Sequence, residues 1–176
     1  MMSAPITWAH DTDAITEYGL EVERVATAEE RMEVAKALEL VACDRLETRY
    51  TIRPLADGQY LATGTVEAAV VQSCVVTLEP VRSHILERFE IDFWPSEKLP
   101  EPGSGELDVL AAPDREPLEG GIIPIGRIVY EHVATALDPY PRKEGAEFRW
   151  RDPDDRPDDD RQASPFAVLA KLKPKA

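Results

Sequence analysis

Apolar and polar residues alternate with period two through the middle of the chain, which predicts β-strands. In "RLETRYTIRP" (residues 45–54) an apolar or uncharged residue follows almost every charged one. The run 59–76 is rich in Val, Thr and Ala, and "HILERFEIDFW" (84–94) alternates again. Short turns, "ADG" and "LEP", separate these runs, so we predict an antiparallel meander of three consecutive strands. Gly64, inside the long middle run, predicts a bulge or bend.

Two other segments have the spacing of amphipathic helices. "TAEERMEVAKALEL" begins with Thr27 and carries Glu30 three residues later, which is a capping box. Val34, Leu38 and Val41 then recur on one helical face. "PIGRIVYEHVATAL" is the second predicted helix, and the two prolines of the following "DPYP" end it.

Together these elements predict an α+β fold. We expect a curved antiparallel sheet, either open or closed towards a barrel, with two main helices and a short C-terminal helix. Residues 6–8 and 20–25 are expected to add two short strands before the first helix. We interpret residues 1–150 as a single α+β domain, 151–162 as an acidic flexible linker, and 163–176 as a short C-terminal amphipathic helix with a tail.

The C-terminal segment "SPFAVLAKLK" is the candidate docking helix. Ser164 can cap it, and Phe166 and Leu169 share one face. The sequence leaves open whether this helix docks on its own domain or on a partner, and it leaves the oligomeric state open as well.

The formal net charge of -14 limits the possible partners. An acidic surface repels phosphate backbones, so we expect a basic protein partner, or RNA contact only through a small basic patch. Acidity that merely keeps the chain soluble is the simpler alternative. No apolar run has the length of a membrane span, and no secretory signal is evident. Two distant cysteines in such a chain suggest reduced thiols and the cytoplasm.

The search for catalytic or metal-binding chemistry centres on Cys74. Its position at a predicted strand end is compatible with a nucleophile, a metal ligand, half of a disulfide or simple packing. A catalytic thiol needs a nearby base, and His84 is the histidine closest in sequence. Cys43 is expected at the end of the first helix, His10 in an exposed loop, and His132 as a packing residue. No phosphate loop, nucleophile elbow or histidine pair is present, so we predict no cofactor, no metal and no catalytic residue.

The stretch "CVVTLEPV" resembles the signature of the bacterial large ribosomal RNA subunit accumulation proteins, the YceD-like family, which in many members reads approximately Cys-x-Arg-Cys-Leu-Glu-Pro-Val. "AEER" at the first helix, "LDPYPR" after the second and the C-terminal "SPFAVLAKLK" are similar to an alphaproteobacterial-type branch. The signature residues here are Cys74, Leu78, Glu79 and Pro80. Thr77 stands where relatives carry a second cysteine, and the later cysteines of some members are missing, so a metal-binding role is not carried over.

This resemblance implies a non-enzymatic factor in large-subunit ribosomal RNA accumulation and ribosome assembly. The implied partners are a large-subunit precursor or a basic ribosomal protein, with local RNA contact and no membrane. The candidate contacts are Arg142, Lys143, Arg149 and Arg151. These side chains could instead pair with acidic neighbours in a solvated loop, and Trp150 could stack on a base or anchor the linker. The alternative functions are an acidic chaperone or adaptor for a non-ribosomal protein, and an enzyme that uses Cys74.

Overall fold

A computed structural model of the chain describes residues 5–99 and 114–148. These residues form two α-helices and seven strands. The strands are β1 His10–Asp11, β2 Leu20–Val25, β3 Ala42–Pro54, β4 Tyr60–Ser73, β5 Pro80–Pro95, β6 Asp114–Leu118 and β7 Ile122–Ile123, and the helices are α1 Ala28–Ala37 and α2 Ile125–Ala136. Short 3-10 turns lie at Thr12–Ala14, Ala56–Gly58 and Ser96–Lys98.

Five strands form one sheet in the order β2-β3-β4-β5-β6, and β1 pairs with β7 in a separate two-stranded ladder. The predicted meander is confirmed, because β3, β4 and β5 pair antiparallel in sequence order. The sheet is open in the described part of the chain, since its edge strands β2 and β6 do not pair with each other. The α+β fold class is therefore confirmed, and the barrel alternative is wrong.

The sequence did not predict β6, which lies in a region expected to be loop. Asp114–Leu118 pairs parallel with the C-terminal half of β5, so the sheet is mixed rather than wholly antiparallel. Arg127, at the start of α2, forms a short ion pair with Glu116 in the middle of β6. An edge strand of the sequence "DREPL" lacks the apolar alternation that would reveal it, because little of it is buried.

Both helices cover one face of the sheet. The helix α1 packs on β3, and α2 packs on β4 and β5. The core between them consists of aliphatic and aromatic side chains that are nearly free of solvent contact; its largest members are Tyr50, Phe93, Ile6, Leu46, Ile52, Ile123, Ile125 and Ile128. The opposite sheet face is polar, as expected for an antiparallel sheet with one solvated side.

The predicted helices are confirmed with different ends. Thr27 caps α1, and its capping box with Glu30 is complete. The helix ends at Ala37, however, so Val41 lies beyond it and is 57% exposed instead of facing the core. The predicted strand at residues 6–8 is also wrong, since the first strand is His10–Asp11.

Gly64 does not mark a bulge. It pairs regularly with Tyr50 on one side and Phe89 on the other, and the register shift of this ladder lies between Cys43 and Arg45. A Cβ at position 64 would lie 2.6 Å from both Phe89 Cζ and Tyr50 Cβ. Glycine is needed here because two aromatic side chains fill the space that a side chain would occupy.

The chain divides into two compact units, Met1–Ala146 and Glu147–Ala176. All of the elements above belong to the first unit. The predicted linker at 151–162 and the predicted C-terminal helix at 163–176 lie outside the described residues, so the domain boundaries stay predictions.

Candidate functional site: the signature turn and its brace

The turn that carries the signature joins β4 to β5. Cys74 follows the last residue of β4, and Pro80 is the first residue of β5. The Cys74 N–H donates to the Glu79 carbonyl at 2.8 Å, and the Leu78 N–H donates to the Cys74 carbonyl at 2.9 Å. Residues 74–79 are thus closed by two backbone hydrogen bonds, and we call them the signature turn. The predicted strand run 59–76 ends earlier than expected, at Ser73, so Cys74 lies in this turn just past the strand.

The Cys74 sulfur is the centre of the turn. It accepts hydrogen bonds from the backbone N–H groups of Val76, Thr77 and Lys143, each at 3.4 Å. Cys74 has no solvent-exposed surface, although Val75 beside it is half exposed. The sulfur is therefore buried just below the surface, in a nest of N–H groups that favours negative charge.

These donors lower the pKa of the Cys74 thiol from 9.0 to about 6. The largest contribution is the backbone N–H of Lys143, followed by the Thr77 side chain and then by the backbone N–H groups of Thr77 and Val76. Burial of the thiol by itself would raise its pKa, but this effect is smaller than that of the hydrogen bonds. A thiolate is a stronger hydrogen-bond acceptor than a thiol, so these donors favour the ionised form of the sulfur.

A segment that follows α2 holds the turn from the other side. The Val75 N–H donates to the Pro141 carbonyl at 2.9 Å, and Gln72 Nε2 donates to the Asp138 carbonyl at 2.9 Å. Lys143 adds an ion pair between its Nζ and Glu79 Oε1, at 2.7 Å. We call residues 138–143 the brace. This hydrogen bond from Lys143 is also the main cause of the lowered pKa of the Glu79 carboxyl.

The structure thus brings together two groups of residues that the sequence suggested for separate reasons. The signature residues Cys74 and Glu79 contact Lys143, one of the candidate partner contacts. Arg142 is exposed beside it. The candidates Arg149 and Arg151 lie outside the described residues, as do Phe166 and Leu169 of the predicted docking helix, so these four residues stay predictions.

Several side chains of this site were not identified from the sequence. Gln72 and Asp138 fix the brace, and Val75 and Tyr140 are apolar side chains on the surface, exposed by 48% and 72%. The signature residue Leu78 is exposed by 78%. "DPYP" was interpreted as a helix stop and as part of a family resemblance, and not as a surface feature. An aromatic residue between two prolines, where it cannot join a helix or a sheet core, is the signal that could have revealed Tyr140.

Comparison with protein-family models assigns the chain to a family. The model for the large ribosomal RNA subunit accumulation protein YceD matches residues 62–173, well over half of the 176 residues. The chain belongs to the YceD family. The match includes most of β4, and all of the signature turn, β5 and the brace. No curated protein and no solved structure matches the chain.

The name of the YceD family assigns it to the accumulation of large-subunit ribosomal RNA. This agrees with the role that the resemblance implied, whereas the binding partners and the mechanism are not part of that name. Among the described residues, no helix is long and apolar enough to cross a membrane.

The other titratable candidates lie away from the signature turn. His84 hydrogen-bonds to Glu67 on the exposed sheet face, and the His132 ring lies 5.7 Å from that of Phe89, which confirms its packing role. His10 is not in an exposed loop; its Nε2 lies 2.7 Å from the hydroxyl of the buried Tyr50. Burial lowers the pKa of His10, with a smaller effect from a nearby arginine.

Neither cysteine is in a disulfide or in a recognisable metal site. Cys43 and Cys74 are free thiols, and Cys43 is buried in β3 rather than at a helix end. Burial raises the pKa of Cys43, in contrast to Cys74. Within residues 5–99 and 114–148 no group of three or more His, Cys, Asp and Glu side chains is arranged to hold a metal ion.

Proposed function

We propose that this YceD-family chain is a non-enzymatic factor in ribosome assembly. It acts in the cytoplasm and supports large-subunit ribosomal RNA accumulation by binding a ribosomal protein, pre-ribosomal RNA or both. The main support for a binding role is that the signature turn is fixed against the brace. Its backbone is held by hydrogen bonds from both sides, while its side chains other than those of Cys74 and Val76 are exposed to solvent. A surface that is ordered before binding loses little conformational entropy on association.

The surroundings of Cys74 support binding rather than catalysis. A nucleophilic thiolate must reach its substrate, but Cys74 has no exposed surface and its sulfur already accepts three backbone N–H groups. No described histidine hydrogen-bonds to this sulfur. The lowered pKa is explained by the structural hydrogen bonds, so it requires no catalytic role.

The brace supplies the exposed cations of this surface. Arg142 is exposed, and Lys143 is half exposed although it pairs with Glu79. In an otherwise acidic chain, such a small cluster suits a local contact and not broad electrostatic attachment to RNA. Arg149 and Arg151 would extend the cluster along the chain.

Deletion of the gene tests the proposed role directly. Ribosomal particles from the deletion strain and the parent would be separated on a sucrose gradient, with a complemented strain as the control. We expect a lower ratio of large to small subunits in the deletion strain, restored by the wild-type gene. An unchanged ratio would contradict the proposal. If RNase-treated pulldowns then recovered a defined non-ribosomal protein, the chain would be an adaptor instead.

A further inference from the structure

Leu78 is at the tip of the signature turn in a conformation that does not favour leucine. Its φ is +60°, in the left-handed region, and its side chain is 78% exposed. An L-residue with a Cβ meets steric repulsion in this region, which glycine avoids and asparagine tolerates. Because the side chain also gains little burial, the stability of this chain alone does not account for a leucine at this position.

Two further exposed apolar side chains belong to the signature turn and to the brace that is hydrogen-bonded to it. Val75 is in the same turn, and its N–H donates to the carbonyl of Pro141, the residue that follows Tyr140 in the brace. We call Val75, Leu78 and Tyr140 the apolar tip. Tyr140 is flanked by prolines, and its own N–H donates to the Asp138 carboxylate at 2.8 Å. The backbone under all three side chains is therefore fixed, so an apolar partner could cover them with little loss of chain entropy.

The charges around the apolar tip favour a protein over RNA as its partner. The cations Arg142 and Lys143 are accompanied by the anions Glu79, Asp138 and Glu144. The tip thus has no local excess of positive charge, and the chain as a whole carries -14. A phosphate backbone gains less from such a surface than a basic protein does, because the nearby carboxylates repel the former and attract the latter.

We propose that the apolar tip docks a basic protein of the large ribosomal subunit, with an apolar side chain of that protein against Leu78 and Tyr140. This inference rests on the proposed function and narrows it to one class of partner. The cationic residues of the partner would face the carboxylates beside the tip, among them Asp138 and Glu144. Tyrosine is enriched at the energetic centres of protein interfaces, where it gives a large contact area at low entropic cost.

Site-specific photo-cross-linking in growing cells tests the inference. A photo-reactive amino acid would replace Leu78 in the full chain and, as the matched control, Leu86. Leu86 is also an exposed leucine, at 64%, but it lies in β5, well away from the turn along the chain. We expect an RNase-resistant cross-link from position 78, but not from position 86, to one basic large-subunit protein identified by mass spectrometry.

A second variant separates docking from folding. With the photo-reactive group at position 140, Leu78→Asn should lower the cross-link yield by about tenfold, the effect of losing a central interface side chain. The melting temperature of Leu78→Asn should equal or exceed that of the wild type, because asparagine tolerates the left-handed conformation. Leu86→Asn should leave the yield unchanged.

The results distinguish failure of this inference from failure of the proposed function. If deletion lowers the large-subunit ratio while position 78 cross-links to RNA, to a second copy of the chain or to nothing, the docking inference is overturned and the assembly role stands. If deletion leaves the ratio unchanged, the proposed function fails, whatever position 78 contacts.

Discussion

At the scale of single residues, Cys74 is a structural acceptor that joins two distant parts of the chain. Its sulfur accepts an N–H from Lys143, 69 positions later in sequence, as well as two from its own turn. A thiolate satisfies several donors at once, which a small apolar residue cannot do. The cysteine that suggested reactive chemistry in the sequence therefore explains why the turn and the brace stay together.

This role predicts a specific pH dependence of stability. The folded chain lowers the pKa of Cys74 from 9.0 to about 6, so between these values the unfolded chain binds more protons than the folded one. The free energy of unfolding should therefore gain a contribution as pH rises through this range and lose it as pH falls towards 6. Urea denaturation of the wild type and of Cys74→Ser at several pH values measures this difference.

In Cys74→Ser the contribution should be absent, because a serine hydroxyl does not ionise in this range. Parallel pH profiles for the two proteins would show that the sulfur is not a thiolate in the folded chain.

Gly64 gives a second prediction at this scale. Its Cβ position is enclosed by Tyr50, Phe89 and the Arg49 carbonyl, the last at 2.7 Å. Gly64→Ala should lower the free energy of unfolding by about 1–3 kcal/mol, as overpacking of a filled core does. Thr65→Ala, at the adjacent half-buried residue of β4, is the control and should cost less, at most about 1 kcal/mol, the span of strand propensities. Equal effects of the two substitutions in thermal denaturation would refute the packing explanation.

At the scale of elements, α1 is positioned by its first turn. Glu30 accepts the Thr27 N–H with one carboxylate oxygen and the indole N–H of Trp8 with the other, at 2.8 and 2.7 Å. The Thr27 hydroxyl accepts the Glu30 N–H in return. The capping box therefore fixes the helix start and also attaches the N-terminal segment to it.

Loss of this cap should be measurable. Thr27→Ala removes the hydroxyl acceptor and should destabilise the chain by about 1 kcal/mol, while Thr27→Ser keeps the acceptor and should have little effect. Thermal unfolding followed by circular dichroism tests both variants. If alanine and serine lowered the midpoint equally, the hydroxyl would not be the source of the stability.

The elements also show what the sequence could predict. The three long strands were predictable because Leu46, Tyr50 and Ile52 alternate with charged residues, and α1 because Thr27 and Glu30 have capping-box spacing. Such signals are local, and they arise from burial of one face. The edge strand β6 has no buried face of its own, and it pairs parallel with β5 through a connection that no local pattern encodes.

The site was predictable only in part for the same reason. The signature marked Cys74 and Glu79, and composition marked Lys143, but their contact depends on the path of the chain after α2. The strain at Leu78 is likewise a property of backbone geometry. A sequence pattern identifies residue types at a site, whereas distances between its parts come from tertiary packing.

At the scale of the whole molecule, the two exposed features differ in chemistry. On the open sheet face, Arg45, Arg49 and Arg82 each pair with a carboxylate. Such exposed pairs contribute about 0–1 kcal/mol each, and they keep that face polar and compatible with water. The apolar tip exposes nonpolar side chains to water without such ion pairs, and so we assign this surface to a partner.

The central claim is that the signature turn and its apolar tip carry the assembly role. The most direct test is the ratio of large- to small-subunit ribosomal RNA in the deletion strain complemented with wild type, Leu78→Asn or Leu86→Asn at equal protein levels. We predict that wild type and Leu86→Asn restore the parental ratio, whereas Leu78→Asn leaves it near that of the deletion strain. Full restoration by Leu78→Asn would contradict the account.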